Sequence, residues 1–408
     1  MKKMWIPELD GLRVLMIFLV SWYHIWQQSW LTPVIGRYSL DYLLRSGYVW
    51  VDGTVLLSAF LLFLPYARAG RGRGDLPDPR GFYWRRARKI LPGYYFILSV
   101  TFFGVCLPWG LYSSPQFMVK DVAAHLTFIF PFFYDTYVTT PLGAACWTLA
   151  IEVQAYALFP WIARAALKHP GRVCAAMLVI CFGFRLWCIW SLKEFNMVVN
   201  QLVNFLDVYV VGSLLAAAYA RLEEREMKPW TRWAATAVFL LAFWGLLQML
   251  RIQAASSVYT AERGIAGRIA GWLGMERGSS NYPIIQRNQM LYRPIYALLF
   301  GGLLLSAPFS LRPLRKLLGN RATRFLGGVS MNYYLIHQTV IVHMRRIGFP
   351  YSQAQYPNQT GEQPWQTQYT LLAFGLSLGA AVLITYLVEK PVQRWMDRRR
   401  EAKRRAAS

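Results

Sequence analysis

Apolar stretches of membrane-spanning length recur along the whole 408-residue chain, separated by short polar segments that are mostly basic. A helix needs roughly 20 apolar residues to cross the hydrocarbon core of a bilayer. Windows of that kind fall at about 11–30, 47–66, 90–110, 146–163, 173–191, 200–220, 232–250, 290–306, 325–344 and 368–388. The stretch 120–133 is apolar but shorter and ends at Pro131, so it reads as a re-entrant or interfacial helix. The tenth span closes in LVEKPVQRW, where Glu389 precedes a proline that predicts a helix break. The pattern predicts an all-α polytopic membrane protein with about ten transmembrane helices and one short re-entrant or interfacial helix.

Charge orients that pattern. With both termini inside, 30 of the 44 Lys and Arg lie on cytoplasmic segments, 11 lie outside and three (Arg13, Arg185, Arg293) lie within spans. This asymmetry predicts an N-in, C-in topology, because short basic loops are retained on the cytoplasmic side. Counting 120–133 as a span would reverse everything after it and lose the asymmetry. Lys2 and Lys3 precede the first span as in a signal sequence, but no small-residue cleavage site follows, so the span is expected to be retained. An integral-membrane domain is expected over 1–396, followed by a basic cytoplasmic tail over 397–408.

The chain is 55% hydrophobic, with 17 Trp, 24 Tyr and 24 Phe, and carries a net charge of +24. That charge is distributed between spans rather than on a hydrophilic domain. It fits contact with anionic membrane lipids and gives no basis for a nucleic-acid partner. The five cysteines (106, 146, 174, 181, 188) lie in or beside apolar segments and read as packing residues. The outer loops 251–289 and 345–367 carry Tyr259, Trp272, Tyr282, Tyr356 and Trp365. Such rings suit sugars and the membrane interface equally.

Ionisable groups inside a membrane are costly and mark functional sites by default. In PELDGLRVLMIFLVSWYHIWQQSW, Arg13 and His24 are eleven residues apart, three helical turns, and share a face about 16 Å along the axis. Asp10 can cap that helix and pair with Arg13. His24 suits a general base, since imidazole accepts a proton near neutral pH. Asp52, in the outer part of the second span, can orient His24, bind a hydroxyl or cap the helix. In FYWRRARKILPGYYF, Arg85 and Arg88 project from one face at a helix entrance beside Arg86 and Lys89, and guanidinium forks match phosphate. Glu152, near mid-membrane with Tyr156 one turn on, calls for an arginine or a protonated imidazole as partner. The ninth span adds His337 with Tyr333 one turn below. No GxSxG, Walker loop, HExxH, HxxxxD or metal-like His/Cys cluster appears, so the sequence gives no support for serine hydrolysis or metal catalysis.

Six stretches, in order, resemble the membrane-bound acyltransferase-3 family, O-acyltransferases of the transmembrane acyltransferase superfamily. They are PELDGLR with a histidine eleven residues beyond its arginine, the WVD and LSAFLL run, FYWRRARKILPGYY, WTLAIEVQAYALFPW, SMNYYLIHQ and VEKPVQRW, covering residues 7 to 396. The second departs from the family's GVDLFFVLSGF form at Gly53, Thr54 and Ala59. The resemblance implies transfer of an acyl group, often acetyl, from cytoplasmic acyl-CoA to a hydroxyl of an extracytoplasmic glycan or glycolipid, at the bacterial inner membrane. It implies His24 as base, Arg13 as its partner on the transfer path and Glu152 as an essential buried carboxylate, to which the residues add Asp52 as a further catalytic candidate. Arg85 and Arg88, with Arg86 and Lys89, would bind the coenzyme A phosphates. From the residues themselves, His337, Tyr333, Tyr156 and Trp147 are the candidates to bind the acceptor. No metal is implied. A transporter or flippase for a glycan or lipid-linked sugar would also need intramembrane charges and aromatic outer loops, and is the competing reading.

Overall fold

The computed structural model describes residues 5–143, 146–255 and 282–405. Among these, the only strands are Val34–Ile35 and Tyr38–Ser39, an antiparallel pair joined through Gly36 at φ +59°. The helices are α1 (Glu8–Ser29), α2 (Asp41–Arg45), α3 (Trp50–Ala69), α4 (Pro79–Thr101), α5 (Pro115–Leu126), α6 (Tyr134–Tyr137), α7 (Trp147–Lys168) and α8 (Pro170–Ser191). They continue with α9 (Leu206–Leu222), α10 (Pro229–Ala255), α11 (Tyr282–Ser306), α12 (Arg312–Leu318), α13 (Arg321–Arg346), α14 (Trp365–Leu383) and α15 (Lys390–Arg405). Every one of the ten predicted spans lies on a long helix. Eight of these helical segments are long and apolar enough to cross a membrane. The other two, α7 and α13, have the length, but Glu152, Gln154 and Arg164 in one and Asn332, His337, Gln338 and terminal arginines in the other lower their hydropathy.

Three boundaries differ from expectation for local reasons. Helix α4 begins at Pro79 rather than near 90, because Asp78 accepts from Gly81 N at 2.8 Å and proline occupies the first turn. Arg85–Lys89 therefore sit inside a helix rather than at its entrance. Pro391 does not break the last span. The turn Ile384–Glu389 is a π-helix that runs directly into α15, and such a wider turn accommodates the missing N–H and the ring. The expected tail boundary at 396/397 thus falls within a continuous helix. Helix α5, at 12 residues, is about 18 Å long and too short to span. Tyr94 and Tyr95 donate to the carbonyls of His125 and Leu126 at 2.9 and 3.0 Å, satisfying its C-terminal end.

The five thiols are free, four of them buried. Most of the 251–289 loop, including Tyr259, Trp272 and the side chain of Tyr282, lies outside the described residues. In the other loop Tyr356 is exposed, but Trp365 is only 3% exposed. It packs with Ile25, Ile341, Met344, Tyr369 and Ala373, so its ring is core and unavailable to a sugar.

The chain forms two compact units. The first comprises Met1–Tyr23, Thr32–Leu76 and Thr148–Gly327, the second His24–Leu31, Pro77–Trp147 and Gly328–Ser408. In the first, α3 and α9 approach closely at small residues: a Cβ on Gly212 would lie 2.7 Å from Ala59 Cβ. Four of its spans are joined by buried charge. Arg293 Nε donates to both oxygens of Asp52 at 3.2 Å, with both side chains fully buried. Arg185 donates to Asp207 Oδ1 at 2.8 Å and to the Asn204 carbonyl at 2.6 Å. Arg293 Nη1 reaches the same carbonyl at 3.1 Å, so one backbone oxygen links the two ion pairs. Arg287, expected in the outer loop, is instead 3% exposed on α11, where it donates to the Ile189 carbonyl and covers Phe195.

The second unit packs α4, α5, α13, α14 and α15 with the end of α1. Its interior includes Asp121, which accepts from Tyr112 and Thr140 at 3.0 and 2.8 Å and lies 3.2 Å from His125 Nδ1.

Removing one partner of a buried pair leaves an uncompensated charge and costs about 3–5 kcal/mol. Arg293→Leu is expected to destabilise by that amount, and Asp52→Asn/Arg293→Leu by clearly less than the sum of the single changes. Denaturation of the purified protein in detergent measures both.

Candidate active site

His24 and His337 meet in the second unit. Helix α1 carries His24 beside the buried Ile25, and α13 places Ser330, Tyr333 and His337 on its buried face. The two imidazole centroids are 5.3 Å apart with planes at 46°. His337 stacks on Tyr333 at 6.0 Å, one turn earlier, as the i, i+4 spacing requires.

Hydrogen bonds decide which nitrogen of each ring is basic. His24 Nδ1 lies 3.0 Å from Gln27 Oε1, and His337 Nδ1 lies 2.6 Å from the Tyr334 carbonyl. A backbone carbonyl only accepts, so His337 Nδ1 carries a proton; with the Gln27 amide oxygen turned to the ring, His24 Nδ1 carries one as well. His337 is fully buried and its Nε2 has no partner among the described residues. A neutral imidazole in that state accepts hydrogen bonds and protons and cannot donate from Nε2. His337 Nε2, beside the His24 ring, is therefore placed to accept a proton or a hydrogen bond. Gln27 was invisible as a site residue from the sequence, although a glutamine three positions after an intramembrane histidine is the signal that could have found it.

The cations sit on the same unit. Helices α4 and α13 run parallel: the backbone at Gly93 meets Asn332, where a side chain would clash, and Thr101 Oγ1 lies 3.4 Å from Thr339 Oγ1. His337 is thus level with about residue 98 of α4, ten residues or roughly 15 Å beyond Arg88. Arg85 is exposed and Arg86 lies over Phe82 at 5.6 Å. Arg88 pairs with Asp397, and Lys89 with Glu389 at 2.6 Å. Glu389 also accepts from Asn332 at 2.6 Å and Gln393 at 2.8 Å.

Arg13, Asp52 and Glu152 belong to the first unit. Arg13, on the first-unit part of α1, lies 3.5 Å from Asp10, which also accepts from Trp5. Asp10 is inside the first turn rather than at its cap. Glu152 accepts from Tyr156 Oη at 2.6 Å, so a phenol fills the place expected for an arginine or imidazolium. Asp52 is engaged by Arg293, which gives it a structural partner within the first unit. Trp147 is partly buried at the start of α7.

A family model described as an acyltransferase domain matches residues 6–389. The chain belongs to the membrane acyltransferase-3 family and is an integral-membrane acyltransferase. No curated protein and no solved structure matches it significantly.

The tautomers give a test that is independent of activity. Nitrogen NMR of histidine-labelled protein is expected to show Nδ1–H forms for His24 and His337. Gln27→Met should mix the His24 tautomers and leave His337 unchanged; an unaltered His24 signal contradicts the assignment.

Proposed function

We propose that the protein transfers an acyl group, in the first instance acetyl, from coenzyme A to a hydroxyl of an extracytoplasmic carbohydrate or glycoconjugate. It would act in the bacterial cytoplasmic membrane with ten spans and both termini inside. The observation that carries this reading is the His24–His337 pair, with both Nδ1 atoms engaged, on the same unit as the α4 cations. A separation of roughly 15 Å along α4 suits a pantetheine arm, with the phosphates at Arg85 and Arg88 and the thioester beside the imidazoles.

In this reaction His24 Nε2 takes the proton of the acceptor hydroxyl, and the oxygen attacks the thioester carbonyl carbon. The tetrahedral oxyanion collapses, the C–S bond breaks, and the thiolate receives the proton from His24. His337 Nε2 accepts a hydrogen bond from the acceptor and holds it against His24. Positioning and general-base catalysis each contribute large factors, the base typically 10²–10⁴-fold. Arg13 and Glu152 are the further groups that the family resemblance assigns to transfer. The motifs shared with the family support that assignment.

His24→Ala is expected to lower transfer at least about a hundredfold with expression intact, and His337→Gln to weaken acceptor use more than donor use. Mass spectrometry of surface glycans from wild-type and variant cells reads both, as the loss of one acyl increment. A glycan-exporting transporter predicts the opposite pattern: altered glycan amount at unchanged acylation, and no coenzyme A binding.

A further inference from the structure

Helix α15 lies against the cationic face of α4 in an antiparallel register. Arg400 covers the ring of Trp84 at 5.1 Å, and one turn along each helix Asp397 pairs with Arg88. Further along, Glu389 pairs with Lys89. The two acids are not equivalent. Glu389 is 3% exposed and held by Lys89, Asn332 and Gln393, so Lys89 neutralises a buried carboxylate and is not free to serve a ligand. Asp397 and Arg88 are 41% and 35% exposed, and a pair so wet is weakly coupled and readily exchanged. Arg85, on the same face as Arg88, is exposed and makes no ion pair among the described residues.

We propose that α15 is the second wall of the donor's phosphate site, and that Asp397 is an internal anion that occupies Arg88 until a donor phosphate displaces it. This rests on the assignment of Arg85 and Arg88 to the donor made above. A phosphate group brings up to two charges and three acceptor oxygens to a guanidinium, more than one carboxylate offers. On exchange the Asp397 carboxylate returns to water while Arg88, Arg85 and Arg400 face the phosphates. Asp397 thereby sets donor affinity: it keeps the site ordered when empty and weakens binding by the strength of its own contact.

Titration calorimetry of the full-length protein in detergent with acetyl-CoA tests this. Asp397→Asn is expected to tighten binding two- to fivefold, the size of an exposed ion-pair coupling, with the gain shrinking at high salt. Arg88→Ala should weaken binding, and Arg88→Ala/Asp397→Asn should show no gain over Arg88→Ala. Glu401→Gln makes the same charge change on an exposed residue of α15 without that contact, and should give a smaller change. An unchanged or weaker affinity for Asp397→Asn, or an equal gain for Glu401→Gln, overturns the inference. If Arg85→Ala and Arg88→Ala weaken binding while Asp397→Asn is silent, only the displacement by Asp397 fails. If those two arginine variants bind like wild type, the donor-site assignment itself fails and this inference with it.

Discussion

Asp52, Asp207, Arg185 and Arg293 carry formal charge on four membrane helices of the first unit, where an isolated ion would be several kcal/mol out of balance. Lipid supplies neither counter-ion nor water, so each must find its complement within the protein. The Asn204 carbonyl, which accepts from both arginines, turns two ion pairs into one network. The constraint is geometric as much as energetic. Packing between apolar helices tolerates rotation and sliding, whereas a guanidinium facing a carboxylate at 3.2 Å does not. The network fixes the azimuth of α3, α8, α9 and α11, and close approaches such as Gly212 against α3 then follow from small residues facing one another.

The second unit handles polarity differently. Its imidazoles each place Nδ1 against an oxygen, and an imidazole, unlike the ions of the first unit, can be buried as a neutral group. Neutral polar groups are far cheaper to bury than ions, which allows a pair of bases to sit within a membrane helix bundle. Where α4 meets α15 and the π-turn before it, Asp397 and Glu389 offset the α4 cations Arg88 and Lys89.

Much of the fold was legible because hydrocarbon imposes a coarse rule on composition. Length and apolarity placed each predicted span on a long helix, eight of them apolar enough to cross a membrane, and the family resemblance was borne out by a match over residues 6–389. The misreadings came where a local hydrogen bond outweighed composition. The Asp78 cap extended α4 backwards through a charged stretch, and a π-turn carried the chain past Pro391. Trp365 looked like a loop aromatic and is core, because a loop's sequence does not say which of its rings folds inward.

For the site, the sequence by itself determined which residues are expensive: histidines, arginines and carboxylates in apolar helices need a reason to be there, whatever the fold. It could not determine partners, since those lie hundreds of positions apart. Only the tertiary structure decided that Asp52 belongs to Arg293, that His24 faces His337, and that Arg88 and Lys89 already hold acids. Periodicity fixes the face of a helix on which a side chain lies, while packing between distant helices fixes what that face meets.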